Sequence, residues 1–282
     1  MESILKNITP KDIVNYPFPH LDIINAVPEA LYIQMAKELP NRKLLDNYFS
    51  KLDKLPSAVN FSSEDLKTLE LKTPCIDEFL TVHSGKSFLD NILNLFSDYI
   101  DTHLPALKYE FLNVVDTRLF INPKKTTVSE IDNEENTFVR GPHIDDPGDV
   151  GVFLYYISRE EDKIIGGDLE LYKHKTRFKG FRRDIWWDER ELSLNSVEKV
   201  KTIPYEPNRF IFLLDGIQSI HGVTPIDSSS SGYRMRLSGG INTIPKSRNY
   251  EYRSYLNKSE IILDEVGMQF QRILRKYNKY LG

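Results

Sequence analysis

Apolar residues change their spacing twice along the chain, and each change marks a different kind of structure. Up to about Leu104 the spacing is helical. Leu31, Met35 and Leu39 recur at every fourth position, which predicts one apolar helix face. Pro28 suits the first turn of that helix, where its missing N–H is not needed, and Pro40 ends it. Ahead of it, Tyr16-Pro17-Phe18-Pro19 holds the backbone extended and leads into a short strand over 21–25. Ser62 and Asp65 stand at capping-box spacing, so a second helix is expected over 64–71. Phe88, Ile92, Phe96 and Ile100 make a further apolar stripe, on a helix over 86–100.

Between about Tyr109 and Ile244 the period shortens. Runs rich in β-branched and aromatic residues cover 112–121, 152–158, 168–172, 209–214, 220–224 and 233–239. Asp146-Pro147-Gly148, Gly166-Gly167, Pro207-Asn208 and Asp215-Gly216 punctuate them as turns, and Ser228 to Ser231 reads as a loop. Many short strands so divided predict a β-sandwich or jelly roll. Helical spacing returns over 259–280, where Ile262, Val266, Phe270, Leu274 and Tyr277 form an apolar edge. Arg272, Arg275, Lys276 and Lys279 suit the negative end of that helix. The organisation expected is one domain over 1–282, with helical support over 1–105, a β core over 106–245 and a helix over 258–280.

Composition narrows the class without naming it. A hydrophobic fraction of 40% and a charged fraction of 28% are ordinary for a globular chain. With 41 acidic against 37 basic residues the net charge is −4, which predicts no nucleic-acid partner. The single cysteine, Cys75, excludes an intramolecular disulfide and suits a reducing cytoplasm. The first residues lack a charged-then-apolar leader, and the apolar runs at 152–157 and 210–214 are too short to span a bilayer, so a cytoplasmic protein is expected. Two long connections, 122–141 and 173–202, are candidate lids. The second carries Arg177-Phe178-Lys179-Gly180-Phe181-Arg182-Arg183 and then Trp186-Trp187, which could grip an anionic or ring-bearing substrate or fold onto the core.

Of six histidines, His20, His83, His103 and His174 read as surface or half-buried residues. His143 and His221 differ in their neighbours. His143-Ile144-Asp145 places an imidazole and a carboxylate two residues apart, on one side of an extended backbone. His221 follows 78 residues later in the same strand-rich zone. Two imidazoles and one carboxylate can fill one face of an octahedral metal and leave three positions open, the donor set of non-haem Fe(II) oxygenases. The triplet alone is also compatible with a polar turn before a strand.

The residues around it add specificity. Arg140-Gly141-Pro142-His143-Ile144-Asp145 resembles the Fe(II)/2-oxoglutarate dioxygenases of the prolyl-hydroxylase-like branch. So do Gly166-Gly167-Asp168-Leu169-Glu170-Leu171-Tyr172, Pro207-Asn208-Arg209-Phe210, Ser219-Ile220-His221-Gly222-Val223 and Gly232-Tyr233-Arg234, in the family's order from about residue 16 to 240. The resemblance implies a double-stranded β-helix, a cupin-like jelly roll flanked by helices. It implies Fe(II) held by His143, Asp145 and His221, with 2-oxoglutarate and O2 as co-substrates and hydroxylation of a small metabolite or peptidyl side chain as the outcome. Arg234 is the implied anchor for the distal carboxylate of 2-oxoglutarate, through the fork geometry of guanidinium. Where many relatives carry a small hydroxyl residue two positions later, this chain has Arg236, on the same strand face. A further contact to 2-oxoglutarate is expected from Tyr155 or Tyr156, of which only one can face inward, or from Arg118. A metal jelly roll that does not use 2-oxoglutarate and a non-catalytic jelly-roll binding module stand as alternatives; the first has no need of Arg234 and the second none of the metal triad. Substrate identity and oligomeric state are not encoded in any of these motifs.

Overall fold

The computed structural model describes residues 1–125, 140–146, 148–175, 192–244 and 246. The expected C-terminal helix, most of the 122–141 connection and the Arg- and Trp-rich part of the 173–202 connection lie outside the described residues.

The N-terminal part is built as its punctuation dictates. Strand β1 (His20–Ile24) leads to helix α1 (Glu29–Glu38), which starts just after Pro28. Met35 and Leu39 of its expected stripe are fully buried. Helix α2 (Arg42–Phe49) begins at Asn41, whose side chain accepts the Leu44 N–H. After β2 (Val59–Phe61), the Ser62/Asp65 capping box is formed at the head of α3 (Ser63–Thr68). Pro74 opens α4 (Pro74–His83). The helix expected over 86–100 is two, α5 (Lys86–Leu95) and α6 (Ser97–His103), joined at Phe96. The stripe survives the break: Phe88, Ile92, Phe96 and Ile100 are all buried.

Eight strands are then shared between two sheets: β3 (Phe111–Asn122), β4 (Arg140–His143), β5 (Asp149–Ile157), β6 (Leu169–His174), β7 (Val197–Ile203), β8 (Arg209–Leu214), β9 (His221–Val223) and β10 (Arg234–Ile244). The large sheet has the order β1-β8-β5-β10-β3-β2 and the small one β4-β9-β6-β7, with antiparallel pairing throughout. This is the double-stranded β-helix, with β1 and β2 widening one sheet. The end of the candidate 173–202 lid is thus not a lid: 197–203 is strand β7, paired to β6. Its alternation of Val, Glu, Lys and Thr is too polar to announce a strand.

Both faces of the large sheet are covered, so its strands read as continuous apolar runs. Phe153, Tyr155, Ile157, Phe210, Phe212 and Leu214 face the helices in the main core. The alternate residues Leu154, Tyr156, Ile211 and Leu213 meet Leu169, Leu171 and Ile203 of the small sheet. That second layer packs between the sheets. Two histidines read as surface or half-buried residues lie in the interior instead. His20 and His83 are fully buried, and His83 accepts the Ile4 N–H at Nε2 (3.2 Å) while Nδ1 faces the Phe79 carbonyl (2.8 Å).

Candidate active site

Strand pairing brings the two distant histidines together. His143, the last residue of β4, stands directly opposite His221, the first of β9, and their ring centroids are 4.3 Å apart. His221 is also paired with Leu171 of β6, so it shares the inward face of the small sheet. Asp145 lies just past the end of β4 and turns its carboxylate to both rings. Oδ1 is 3.5 Å from His143 Nε2 and Oδ2 is 3.5 Å from His221 Nε2. Each histidine places Nδ1 against a carbonyl two residues earlier, Gly141 at 2.7 Å and Ser219 at 2.9 Å. An acceptor there calls for the proton on Nδ1, which leaves the Nε2 lone pair aimed at the centre.

The protonation states match a metal site. Burial drives His221 down to about 4, so it is a neutral imidazole at pH 7. Burial pushes Asp145 the other way, but His221, His143 and Arg140 outweigh it and hold the carboxyl well below the usual range. Donors about 2.1 Å from one metal and at right angles to each other stand about 3 Å apart. The triad, with all three ligand atoms within 4.8 Å, needs only a small contraction to meet that geometry. Two imidazoles and one carboxylate fit iron(II) by number and by donor type.

The layer facing the triad's sheet belongs to the large sheet. Arg234, at the start of β10, is almost wholly buried although charged. Its Nε donates to the Gly167 carbonyl (2.7 Å), one Nη to Asn122 Oδ1 (3.0 Å) and the other to the Tyr156 hydroxyl (3.2 Å). The guanidinium also lies 5.0 Å from the Tyr156 ring centre and 5.1 Å from that of Tyr205. Gly167 must be glycine here: its φ is +74°, and a Cβ would stand 2.6 Å from Arg234 Cδ. Arg236 follows on the same face, over the Phe120 ring at 4.7 Å, and also donates to Asn122 Oδ1 (3.1 Å). Asp145 is among the charges that act on Arg236, in keeping with their places on the facing sheets.

Of the three other residues expected at this site, one is there. Tyr156 faces inward and touches Arg234, whereas its neighbour Tyr155 points to the helices, donates to Asn208 Oδ1 (3.0 Å) and stacks on Phe79. Asn208 binds the Val27 backbone through both its amide atoms, so Tyr155 serves the turn that docks α1. Arg118 has the inward register, opposite Ser238, but donates to Asn60 of the edge strand β2 (2.9 Å) instead of to the cavity. Three residues were not foreseen. Asn122 could have been, as the β3 residue opposite Arg234, once that pairing was known. The Gly167 carbonyl was hidden in the Gly-Gly turn. Tyr205, whose hydroxyl ties β5 to β10 through the Ile157 and Met235 carbonyls, carried no signal.

No family model and no curated protein sequence matches this chain. Solved structures do resemble it in fold. A prolyl 4-hydroxylase from Phytophthora capsici aligns at 16% identity with a TM-score of 0.44, covering 82% of this chain and 61% of the other. The chain therefore spans about three fifths of that enzyme's length. A Pseudomonas putida prolyl-4-hydroxylase aligns at 10% identity and TM-score 0.37, over 79% of this chain and 91% of its own. HygX from Streptomyces hygroscopicus, solved with nickel and 2-oxoglutarate bound, aligns at 12% identity and TM-score 0.36, over 79% and 82%. Among the described residues no helix is long and apolar enough to cross a membrane.

Proposed function

We propose that this chain is an iron(II)- and 2-oxoglutarate-dependent dioxygenase that hydroxylates a C–H bond of a small metabolite or a peptidyl side chain. One observation carries the reading: His143, Asp145 and His221 converge at the small sheet, and the facing large sheet carries the buried guanidinium of Arg234. Iron(II) held by the triad would supply the redox chemistry that couples 2-oxoglutarate and O2 to succinate, CO2 and the hydroxylated product. The chain's own groups prepare that site. The two Nε2 lone pairs and the Asp145 carboxylate would hold the metal through three donors, a set that leaves room for further ligands. Retention of the carboxylate favours hydroxylation over halogenation, for which that position must be vacated.

Arg234 fits the distal carboxylate of 2-oxoglutarate, which needs a cation with parallel donors in a dry pocket. Tyr156 accepts from Arg234 and so has its own O–H to donate to the same ligand. Burial raises the Tyr156 hydroxyl above its ordinary value, so it stays protonated at pH 7. A metal jelly roll without 2-oxoglutarate would bury the Arg234 charge for no purpose, and a plain binding module would have no use for the triad.

The test is Asp145→Ala with succinate and CO2 as readouts. The variant is expected to keep the wild-type far-ultraviolet circular dichroism and to lose iron- and 2-oxoglutarate-dependent succinate formation. Undiminished turnover in a folded variant would remove Asp145 from the ligand set and the reading with it.

A further inference from the structure

We propose that Arg236 is the second jaw of a two-guanidinium clamp, which closes with Arg234 on the distal carboxylate of the 2-oxo acid. The inference rests on the reading of this cavity as a 2-oxoglutarate site. It concerns a position where the motif leads one to expect a small hydroxyl side chain.

Two features show that the arginine pair is incomplete as it stands. Both guanidiniums donate to a single oxygen, Asn122 Oδ1, at 3.0 and 3.1 Å, so those two nitrogens are at most 6.1 Å apart. Arg236 Nε is shut off from solvent and has no partner. Among the described residues, no carboxylate lies within ion-pair distance of either arginine. The protein treats a structural arginine differently: Arg209 is held by both oxygens of Asp22 (2.7 and 3.0 Å) and by Glu206 (2.7 Å). An aspartate at position 122 would have neutralised the pair internally. The neutral amide instead spaces two cations and leaves their charge for something else.

That charge is costly without an anion. Burial and the neighbouring Arg234 together pull Arg236 down to about 9. One carboxylate has two oxygens and about four lone-pair sites, enough to accept from both guanidiniums at once. Its arrival would convert mutual repulsion into attraction to a shared partner. The planes are already fixed, Arg236 by the Phe120 ring and Arg234 by Tyr156 and Tyr205, so little side-chain freedom remains to be lost. Because Arg236 shares Asn122 with Arg234, it belongs to the distal end of the ligand. The expected consequence is strong selection of 2-oxo dicarboxylates over 2-oxo monocarboxylates.

The experiment is calorimetric and needs no turnover. Manganese(II)-loaded wild type, Arg236→Met and Arg236→Lys are titrated with 2-oxoglutarate and with 2-oxopentanoate, which has the same chelating head and a methyl group in place of the distal carboxylate. Arg236→Met is expected to weaken 2-oxoglutarate about 10- to 100-fold and to move 2-oxopentanoate by no more than about twofold, with Arg236→Lys in between. Equal weakening of both ligands, or of neither, overturns the clamp. Should wild type bind the two ligands equally well, the Arg234 anchor itself fails and the function proposed above fails with it. A misfolded Arg236→Met is answered by the metal-free wild type. Butyrate, whose single carboxylate can fill the clamp, should raise its melting temperature, as neutral butanamide should not, and Arg236→Lys should reduce that rise. No difference between butyrate and butanamide counts against the clamp.

Discussion

Protonation of His83 is expected to cost this fold much of its stability as the pH falls from about 6.5 to about 4, and the structure gives the size. His83 is fully buried, stacks on Phe79, accepts the Ile4 N–H at Nε2 and faces the Phe79 carbonyl with Nδ1. Burial lowers it from 6.5 to about 4. Between those values the unfolded chain takes up the proton and the folded one does not, so stability rises with pH across the window. The contribution is complete above about 6.5, declines at up to about 1.4 kcal/mol per pH unit and is lost below about 4. The full gap corresponds to about 3 kcal/mol, a large part of a typical folding free energy. Urea midpoints of wild type and His83→Gln, taken at half-unit steps from pH 4 to 7, isolate this group because other titrations cancel in the difference. The two curves should converge as the pH drops, and amide exchange at Ile4 should accelerate in wild type over the same window. Parallel curves with an unchanged Ile4 rate would refute the assignment of a neutral, hydrogen-bonded His83.

Four substitutions separate the site from its supports. Gly167→Ala forces a Cβ into a left-handed backbone and against Arg234 Cδ; a loss of about 1–3 kcal/mol in denaturant stability and a weakened 2-oxoglutarate isotherm are expected, and an unchanged isotherm counts against Gly167 as the seat of Arg234. Asn208→Ala removes the acceptor of the Val27 N–H and of the Tyr155 O–H, together with the donor to the Val27 carbonyl. It should destabilise by about 3 kcal/mol, read from the urea midpoint, without changing co-substrate affinity. Tyr155→Phe and Tyr156→Phe should split: the first lowers the melting temperature only, while the second weakens 2-oxoglutarate about 3- to 10-fold by calorimetry. A Tyr155→Phe protein with weakened binding would contradict the facing of β5.

How much of this was legible beforehand follows from what is local. The β-branched and aromatic runs of β5, β8 and β10 and the period of about four in α1 and α5 are properties of neighbouring residues, so these elements could be read directly. The cluster of His143, Asp145 and His221 was legible because His143 and Asp145 are near in sequence and His221 stands in a motif of the resembling family. Arg234 was expected from that resemblance, and Arg236 from its place two residues further along the same strand. Helices α2 and α4 and strands β2 and β7 were not legible, because their apolar patterns are short or interrupted by polar residues and their stability comes from what packs on them.

Parity says that either Tyr155 or Tyr156 faces the cavity, but not which. The choice was settled by Asn208, 53 residues after Tyr155, whose amide binds the hydroxyl on the helix side. Parity also turned Arg118 inward, yet β2 pairs with β3 and offers Asn60, which draws the guanidinium to the sheet edge. Asn122 meets Arg234 across 112 residues because β3 and β10 pair in the register that sets these two residues opposite each other. Sequence by itself determined which residue types lie on which face, since backbone geometry repeats every two or every 3.6 residues. Only the tertiary structure decided which of those residues meet, because a hydrogen bond needs atoms within about 3 Å, and that distance is set by strand register between segments the chain does not connect.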